Sequence, residues 1–194
     1  SFGGVAGHAG TTPMALRRDA LAGAAEFILG VEALARTGKG LVATVGSVTA
    51  IPGAANVIPG EVDLSLDLRH AADAERRRAL VSLRRMGASV ARRRRLSFSM
   101  APIQDNGAVA CSPGLTRLLT ESVRSCEGRS LTLASGAGHD GVVMSRLTPV
   151  AMLFVRSRKG LSHHPDEYVS GADLEAALQI VVDFLLRLGR RDER

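Results

Sequence analysis

Tryptophan is absent from this chain of 194 residues, and tyrosine occurs once. Five phenylalanines complete the aromatic set, too little material for a platform on which successive bases stack, so the basic balance of the chain does not by itself make a nucleic-acid reader. Cysteine is scarce as well. Cys111 and Cys126 flank most of one predicted helix, about 22 Å apart at the helical rise per residue, which is beyond the reach of a disulfide. With no disulfide framework, no apolar run near the roughly 20 residues that span a bilayer and no signal-like N-terminus, the expected setting is the reducing cytoplasm, without membrane attachment. Lysine is nearly missing: 23 of the 25 cationic residues are arginine, and they carry the net charge of +6. The plain reading of so many guanidinium groups is a solvated surface, although their summed field also attracts anions.

What is present is apolar enough to fold. At 45% hydrophobic residues the chain can bury a core of one large or two small domains. Thr12 and Pro13 read as the N-cap and first position of a helix whose stripe is Leu16, Ala20, Ala24, Phe27, Val31 and Leu34, stopping at Gly38. Leu41 to Thr49 reads as a strand. Glu61 to Arg69 alternates, with Val62, Leu64, Leu66 and Leu68 on one face and Asp63, Ser65, Asp67 and Arg69 on the other, the mark of an antiparallel sheet with one wet face. Asp73 to Val90 has Leu80, Leu83 and Val90 at helical spacing, with Arg76, Arg77, Arg78, Arg84 and Arg85 on the exposed side. Leu96, Phe98 and Met100 alternate as a further strand.

The order β-α-β-β-α-β is that of a split ferredoxin-like unit, so residues 1–105 are expected to form an α+β domain with a truncated first strand. Residues 102–110, with Asn106-Gly107, read as the linker. Residues 106–194 are expected to be α/β. Ser112 and Pro113 start a helix with Leu115, Leu118, Leu119 and Val123 on one face and Gly128 as its stop. Leu131 to Ala134 reads as a short strand and Pro149 to Val155 as a strand buried on both faces of a parallel sheet. Leu174, Leu178, Val181, Val182, Leu185 and Leu188 make the stripe of a C-terminal helix expected to pack on that sheet.

Three of the five histidines, His139, His163 and His164, lie in two glycine-bracketed loops on either side of the expected buried strand. Ligand sites in open α/β sheets gather at strand ends, so the two loops are placed to converge. Taken singly, each histidine has a plainer reading as a turn residue, and Arg69 as a solvated strand-end charge. No G-x-S-x-G elbow is present and neither cysteine has a recognisable paired base, which argues against a nucleophilic hydrolase.

Ser135-Gly136-Ala137-Gly138-His139-Asp140, followed by Gly160-Leu161-Ser162-His163-His164-Pro165-Asp166-Glu167, resembles the C-terminal signature of the zinc-dependent amidohydrolases that act on N-carbamoyl-L-amino acids, allantoate and β-ureidopropionate, relatives of the aminoacylase-type metallopeptidases. His8-Ala9-Gly10-Thr11-Thr12-Pro13-Met14 and Asn56-Val57-Ile58-Pro59-Gly60-Glu61-Val62 resemble motifs of that family's lid domain. The resemblance implies metal-dependent hydrolysis of a linear amide C–N bond in a small ureido or carbamoyl substrate. It makes His8 and His139 catalytic, places His8, Asn56, Arg69, Gly136, Ala137 and His139 on the substrate, and makes His163 a zinc ligand. It further implies two divalent metal ions, zinc or manganese, in the intact enzyme, and a homodimer formed through the lid, residues 1–105. The chain would then be a C-terminal fragment, metal-free and inactive alone, because the other ligands and the general base belong to a preceding half. The alternative from a different class is a non-catalytic dimerisation or RNA-binding module that uses the arginine-rich ferredoxin-like domain.

Overall fold

The structure, a computed structural model, describes residues 1–192. They separate into two compact units, the first from Ser1 to Ala108 and the second from Val109 onward. The protein is of mixed α/β class, and among the described residues all strands lie in the first unit.

In the first unit the chain runs through β1 (Phe2–Gly3), β2 (Gly7–His8), α1 (Ala20–Thr37), β3 (Val42–Thr44), β4 (Val48–Ile51), β5 (Val57–Ile58), β6 (Glu61–Leu64), β7 (Asp67–Arg69), α2 (Asp73–Arg94) and β8 (Ser97–Phe98). Four strands form one sheet in the order β4-β6-β1-β8, every neighbour antiparallel. Helices α1 and α2 pack against the sheet and against each other. Between them lies the core of Phe2, Ala20, Ala24, Phe27, Val31, Val62, Leu83, Val90 and Ala91.

The period-2 pattern of residues 61–69 is realised as expected: Val62 is buried and Leu64, Leu66 and Leu68 pack against the core, while Glu61, Asp63, Asp67 and Arg69 are exposed. The facing segment is two strands, where one was expected over Leu41 to Thr49. Between β3 and β4 the Ser47 N–H donates to the Ser65 hydroxyl at 3.0 Å, while the Ser65 N–H donates to the Ser47 carbonyl at 3.1 Å. A side-chain oxygen has replaced a ladder carbonyl, and the pairing breaks there on both sides.

Helix α1 does not begin at Thr12 and Pro13. Pro13 leads into one 3-10 turn, Met14–Leu16, and Arg18 stays extended because its carbonyl accepts from the Val5 N–H at 2.9 Å. The helix therefore starts one residue after Asp19, whose carboxylate accepts from the Ala22 N–H at 3.0 Å and sits at the positive end of the helix dipole. Leu16 falls outside the buried stripe and is exposed.

Arg76 was expected among the exposed arginines of α2. Its side chain is only 14% exposed, with Nη2 2.5 Å from Asp105 and Nε 3.5 Å from Asp73. Asp73 also accepts from the Ala108 N–H at 3.1 Å, so the segment entering the second unit is held to the start of α2. At the other end of α2, Arg93 and Arg94 pair with Glu26 of α1, Arg94 at 2.7 Å.

The second unit contains α3 (Pro113–Glu127), the single turn α4 (Gly141–Met144) and α5 (Gly171–Asp192). Helix α3 keeps its expected ends: the Ser112 hydroxyl accepts from the Leu115 N–H at 3.4 Å, Pro113 opens the first turn, and Gly128 takes the left-handed conformation at φ 73°. It packs along α5. The two strands expected here, Leu131 to Ala134 and Pro149 to Val155, are irregular extended segments, and no strand is formed in this unit among the described residues. An extended segment becomes a strand only when a neighbour takes its backbone groups, and the described residues supply no such neighbour. Leu131, Leu133, Phe154 and Val155 are correspondingly exposed, as are Leu174, Leu178, Val182 and Leu185 of the α5 stripe. The expected sheet-packed α/β arrangement is thus replaced, within these residues, by a helix pair carrying two extended loops.

Two stability outcomes follow. A Cβ on Gly87 of α2 would lie 2.2 Å from Cζ of Phe98, so Gly87→Ala, worth about 1 kcal/mol in favour on helix propensity alone, is expected to lower stability by roughly 1–3 kcal/mol through overpacking, read from urea midpoints. The Glu26 carboxyl is held below the usual carboxylate range, first by its hydrogen bond to Arg94 and then by that to Arg93. A depressed folded value stabilises above the unfolded pKa and is lost as pH falls through the folded one. Glu26→Gln is therefore expected to cost under about 1 kcal/mol at neutral pH, because the group is about a third exposed and screened. That cost should vanish as the same unfolding series is carried to acid pH.

Candidate functional site

The His8 loop is built by a two-stranded ladder separate from the main sheet. Gly7 pairs with Ile58 and His8 with Val57 across β2 and β5. The Ala9 N–H donates to the Asn56 carbonyl at 2.9 Å, so His8 and Asn56, distant in sequence, are brought to neighbouring positions. Beyond the ladder the chain turns, with the Thr12 N–H donating to the His8 carbonyl at 3.2 Å. Arg17 closes the loop from below, its Nη2 donating to the Ala9 carbonyl at 2.5 Å and its Nε to the Thr12 carbonyl at 3.1 Å. Both His8 and Asn56 are exposed. The imidazole of His8 is held by its own loop: the Gly10 N–H donates to Nδ1 at 3.0 Å.

Arg69 ends β7, which pairs with β3, and so stands on a different strand pair from His8 and Asn56. Its guanidinium forms a two-pronged contact with Asp67, Nε to Oδ1 at 2.7 Å and Nη2 to Oδ2 at 2.6 Å. That hydrogen-bonded fork holds the Asp67 carboxyl below and the Arg69 guanidinium above their ordinary values. Asp67 thereby orients the planar group at the strand end, where Arg69 is half exposed.

In the second unit, the loop of Gly136, Ala137 and His139 is shaped by short-range hydrogen bonds. The Ser135 hydroxyl accepts from the Ala137 N–H at 3.2 Å and lies 3.3 Å from its carbonyl, so the Ala137 amide is engaged within the loop. His139 precedes α4, and its Nδ1 accepts from the Gly141 N–H at 3.0 Å. In the following loop the adjacent histidines differ. His164 Nδ1 accepts from the Asp166 N–H at 3.1 Å. His163 adopts a left-handed backbone at φ 56°, its N–H donating to Glu167 Oε2 at 2.9 Å, and its imidazole makes no hydrogen bond to any described residue.

Catalytic zinc is held by three protein ligands and a water. Among the described residues no three His, Cys, Asp or Glu side chains converge, so these residues do not by themselves make a complete metal site. A cavity of about 450 Å³ lies elsewhere in the second unit, lined by Arg156, Ser157, Arg158, Tyr168, Ser170 and Asp173. It shares no residue with the motif loops, and its central cation is committed to Asp173 at 2.6 Å and Glu127 at 3.0 Å.

Four residues of these loops were not singled out from the sequence: Gly10, Arg17, Gly141 and Glu167. A signal existed for the two glycines, since His8-Ala9-Gly10 and His139-Asp140-Gly141 repeat one spacing. Arg17 carried none, because nothing local distinguishes it from the other arginines.

Comparison with known proteins bears on both loops. The model of peptidase family M20/M25/M40 matches residues 5–187. The chain is 34% identical over 186 residues to an N-carbamoyl-L-amino-acid amidohydrolase of Pseudomonas sp. (strain NS671), covering 95% of this chain and 45% of that protein. It is 36% identical over 209 residues to an allantoate deiminase of Arabidopsis thaliana, covering 94% of this chain and 40% of that one. Among solved structures, an amidase of the hydantoinase/carbamoylase family from Burkholderia multivorans superposes with a TM-score of 0.88 at 32% identity, over 96% of this chain and 46% of the other. The chain thus spans a little under half the length of the relatives it matches. With a family model covering nearly its whole length and relatives more than 30% identical along it, this chain belongs to peptidase family M20/M25/M40.

Proposed function

We propose that this chain is part of an enzyme that hydrolyses a linear amide C–N bond in a ureido substrate, an N-carbamoyl-L-amino acid or allantoate. The observation that carries the reading is the pair of exposed imidazoles, His8 and His139, each fixed through Nδ1 by its own loop, in a chain a third identical to enzymes named for those substrates. An imidazole whose Nδ1 accepts presents Nε2–H as a donor. Such a donor suits an amide oxygen on which negative charge grows during hydrolysis. Asn56 adds a polar residue next to Val57, the ladder partner of His8, the backbone of Gly136 and Ala137 adds a substrate-facing wall beside His139, and Arg69, whose guanidinium Asp67 orients, suits the substrate carboxylate. Relatives named as hydrolases favour this reading over a non-catalytic RNA-binding module.

His163 is proposed as one ligand of a divalent metal ion, zinc or manganese, whose other ligands come from outside the described residues. The contrast between its uncommitted ring and the engaged ring of His164 supports that choice. The sheet order and the two helices of the first unit agree with a ferredoxin-like lid, and the edge strands β4 and β8 offer backbone for pairing with a second copy. Among the described residues no helix is long and apolar enough to cross a membrane, and two free cysteines suit the reducing cytoplasm.

The test is a turnover panel of N-carbamoyl-L-amino acids and allantoate, run with zinc and with manganese on this chain extended to the length of its relatives. Turnover of one class is expected, and none with either class would overturn the proposal. In that enzyme Arg69→Ala should raise KM by roughly 30-fold or more, the cost of about 2 kcal/mol or above for truncating one side of a charge-assisted pair, and Arg69→Lys should recover only part because lysine lacks the fork. Sedimentation should show a dimer that survives removal of residues after 108. A monomer at high concentration would exclude pairing through the first unit.

A further inference from the structure

His70 is the one histidine outside the motif loops, and both of its ring nitrogens are engaged. Nε2 lies 3.0 Å from the Lys39 carbonyl, which can only accept, so the neutral ring carries its proton there. Nδ1 accepts from the Ala72 N–H at 2.9 Å. Lys39 belongs to the turn between α1 and β3, which the Leu41 N–H closes by donating to the Gly38 carbonyl at 3.2 Å. Ala72 is the N-cap of α2 and supplies no side-chain cap. One imidazole thus joins the end of β7, the entry to β3 and the start of α2. The position of this clasp matters because of what β7 carries. The ladder of β3 on β7 is a sheet of two strands, paired at Val42 with Arg69, Ala43 with Leu68 and Thr44 with Asp67. Two-stranded ladders are marginal by themselves and open first where few contacts hold them, at their ends. Arg69 occupies an end rung directly before His70, and Lys39 stands just before its rung partner Val42, so the ring bridges the two strands immediately outside that rung.

We propose that His70 is a positioning residue for Arg69: by tying the Lys39 turn to the start of α2 it keeps closed the rung that carries the guanidinium, and so sets how tightly the enzyme takes the carboxylate of its substrate. The proposal rests on the reading of Arg69 as the group that meets that carboxylate. Asp67 orients the guanidinium through its own side chain, at 2.7 Å and 2.6 Å, but the fork is aimed only while the backbone beneath it is fixed. Asp67 pairs at the other end of the same ladder, so fraying at the Arg69 rung moves the two partners of the fork apart. A residue that acts in this way changes the binding of the carboxylate and leaves the chemical step at the amide alone. Its effect therefore falls on KM, and on the preference for an acid over its carboxamide, rather than on kcat.

Amide hydrogen exchange of the chain gives the first test. His70→Ala should speed exchange across β3 and β7 by up to about tenfold, the scale of one ordinary hydrogen bond, while α1 and the four-stranded sheet keep their protection. His70→Gln retains an N–H near the Nε2 position for the Lys39 carbonyl and should restore most of that protection. His70→Asn, whose amide reaches only the Nδ1 position, should not. Unchanged exchange of β3 and β7 in His70→Ala, or no difference between the Gln and Asn variants, would overturn the proposal. In the chain extended to the length of its relatives, His70→Asn should raise KM for the N-carbamoyl-L-amino acid or allantoate that it turns over by about five- to tenfold, on the same hydrogen-bond scale, with kcat nearly unchanged and with little effect on KM for the corresponding carboxamide. Equal losses on acid and carboxamide, or a loss confined to kcat, would also overturn it. An Arg69→Ala enzyme with unchanged KM would instead remove the underlying reading of Arg69, and the proposal with it.

Discussion

Burial of the Phe2 ring is the constraint on which the first unit depends. The strand that carries it is two residues long, yet it takes the inner position between β6 and β8. Two ladder positions hold little by themselves. The side chain does more: Phe2 is fully buried, with ring centroids 5.7 Å from Phe27 of α1 and 5.0 Å from Phe98 of β8, and those two rings 5.8 Å apart. Burying one such ring is worth roughly 1.5–3 kcal/mol, and each tilted pair adds about 0.5–1.5 kcal/mol. The same cluster explains why α2 has a glycine at 87, where the edge of Phe98 lies against its backbone. It also sets the exit of β1, since the Gly4 N–H donates to the Gly60 carbonyl at 2.7 Å and the chain then pairs as β2 with β5, which delivers His8.

Several of the arginines, read first as a solvated surface, are absorbed into local structure. Arg17 closes the His8 loop, Arg76 holds the segment that leaves the first unit, and Arg93 and Arg94 tie α2 to α1 through Glu26. In the second unit Arg156 joins Glu127 and Asp173, and Arg187 holds Asp183 of its own helix at 2.6 Å while reaching Glu121 of α3 at 3.6 Å. Exposed pairs of this kind contribute little each. Their effect is geometric, because a fork with several donors can fix two carbonyls or two carboxylates at once.

The two units hold their loops by different means. His8 is delivered by a strand ladder anchored to a packed core. His139 and His163 stand on loops shaped by hydrogen bonds a few residues long, through Ser135, Gly141 and Glu167. Apolar side chains elsewhere in the second unit, among them Leu131, Phe154 and Leu178, are exposed. Loops so held keep their local shape without a sheet beneath them, which is why the ring contact at His139 forms although the expected strands do not.

What the sequence determined by itself was whatever short range controls. The alternation from Val62 to Leu68 depends only on the two-residue pleat, and the ends of α3 only on Ser112, Pro113 and Gly128, so both were readable. The repeated His-x-Gly spacing is equally local, although only coordinates reveal that the N–H reaches Nδ1. The start of α1 was misread because Thr12 and Pro13 make a locally sound cap, and it took a backbone bond from Val5 to keep Arg18 extended and move the start to Asp19. Arg76 was misplaced for the same reason, since its partner Asp105 lies beyond the helix. The strands of the second unit were read from apolar runs, but a strand is a property of a pair, and hydrophobicity cannot supply the neighbour. That His8 pairs with Val57, next to Asn56, was decided only by the register of β2 on β5, because strand pairing joins residues that no local pattern connects.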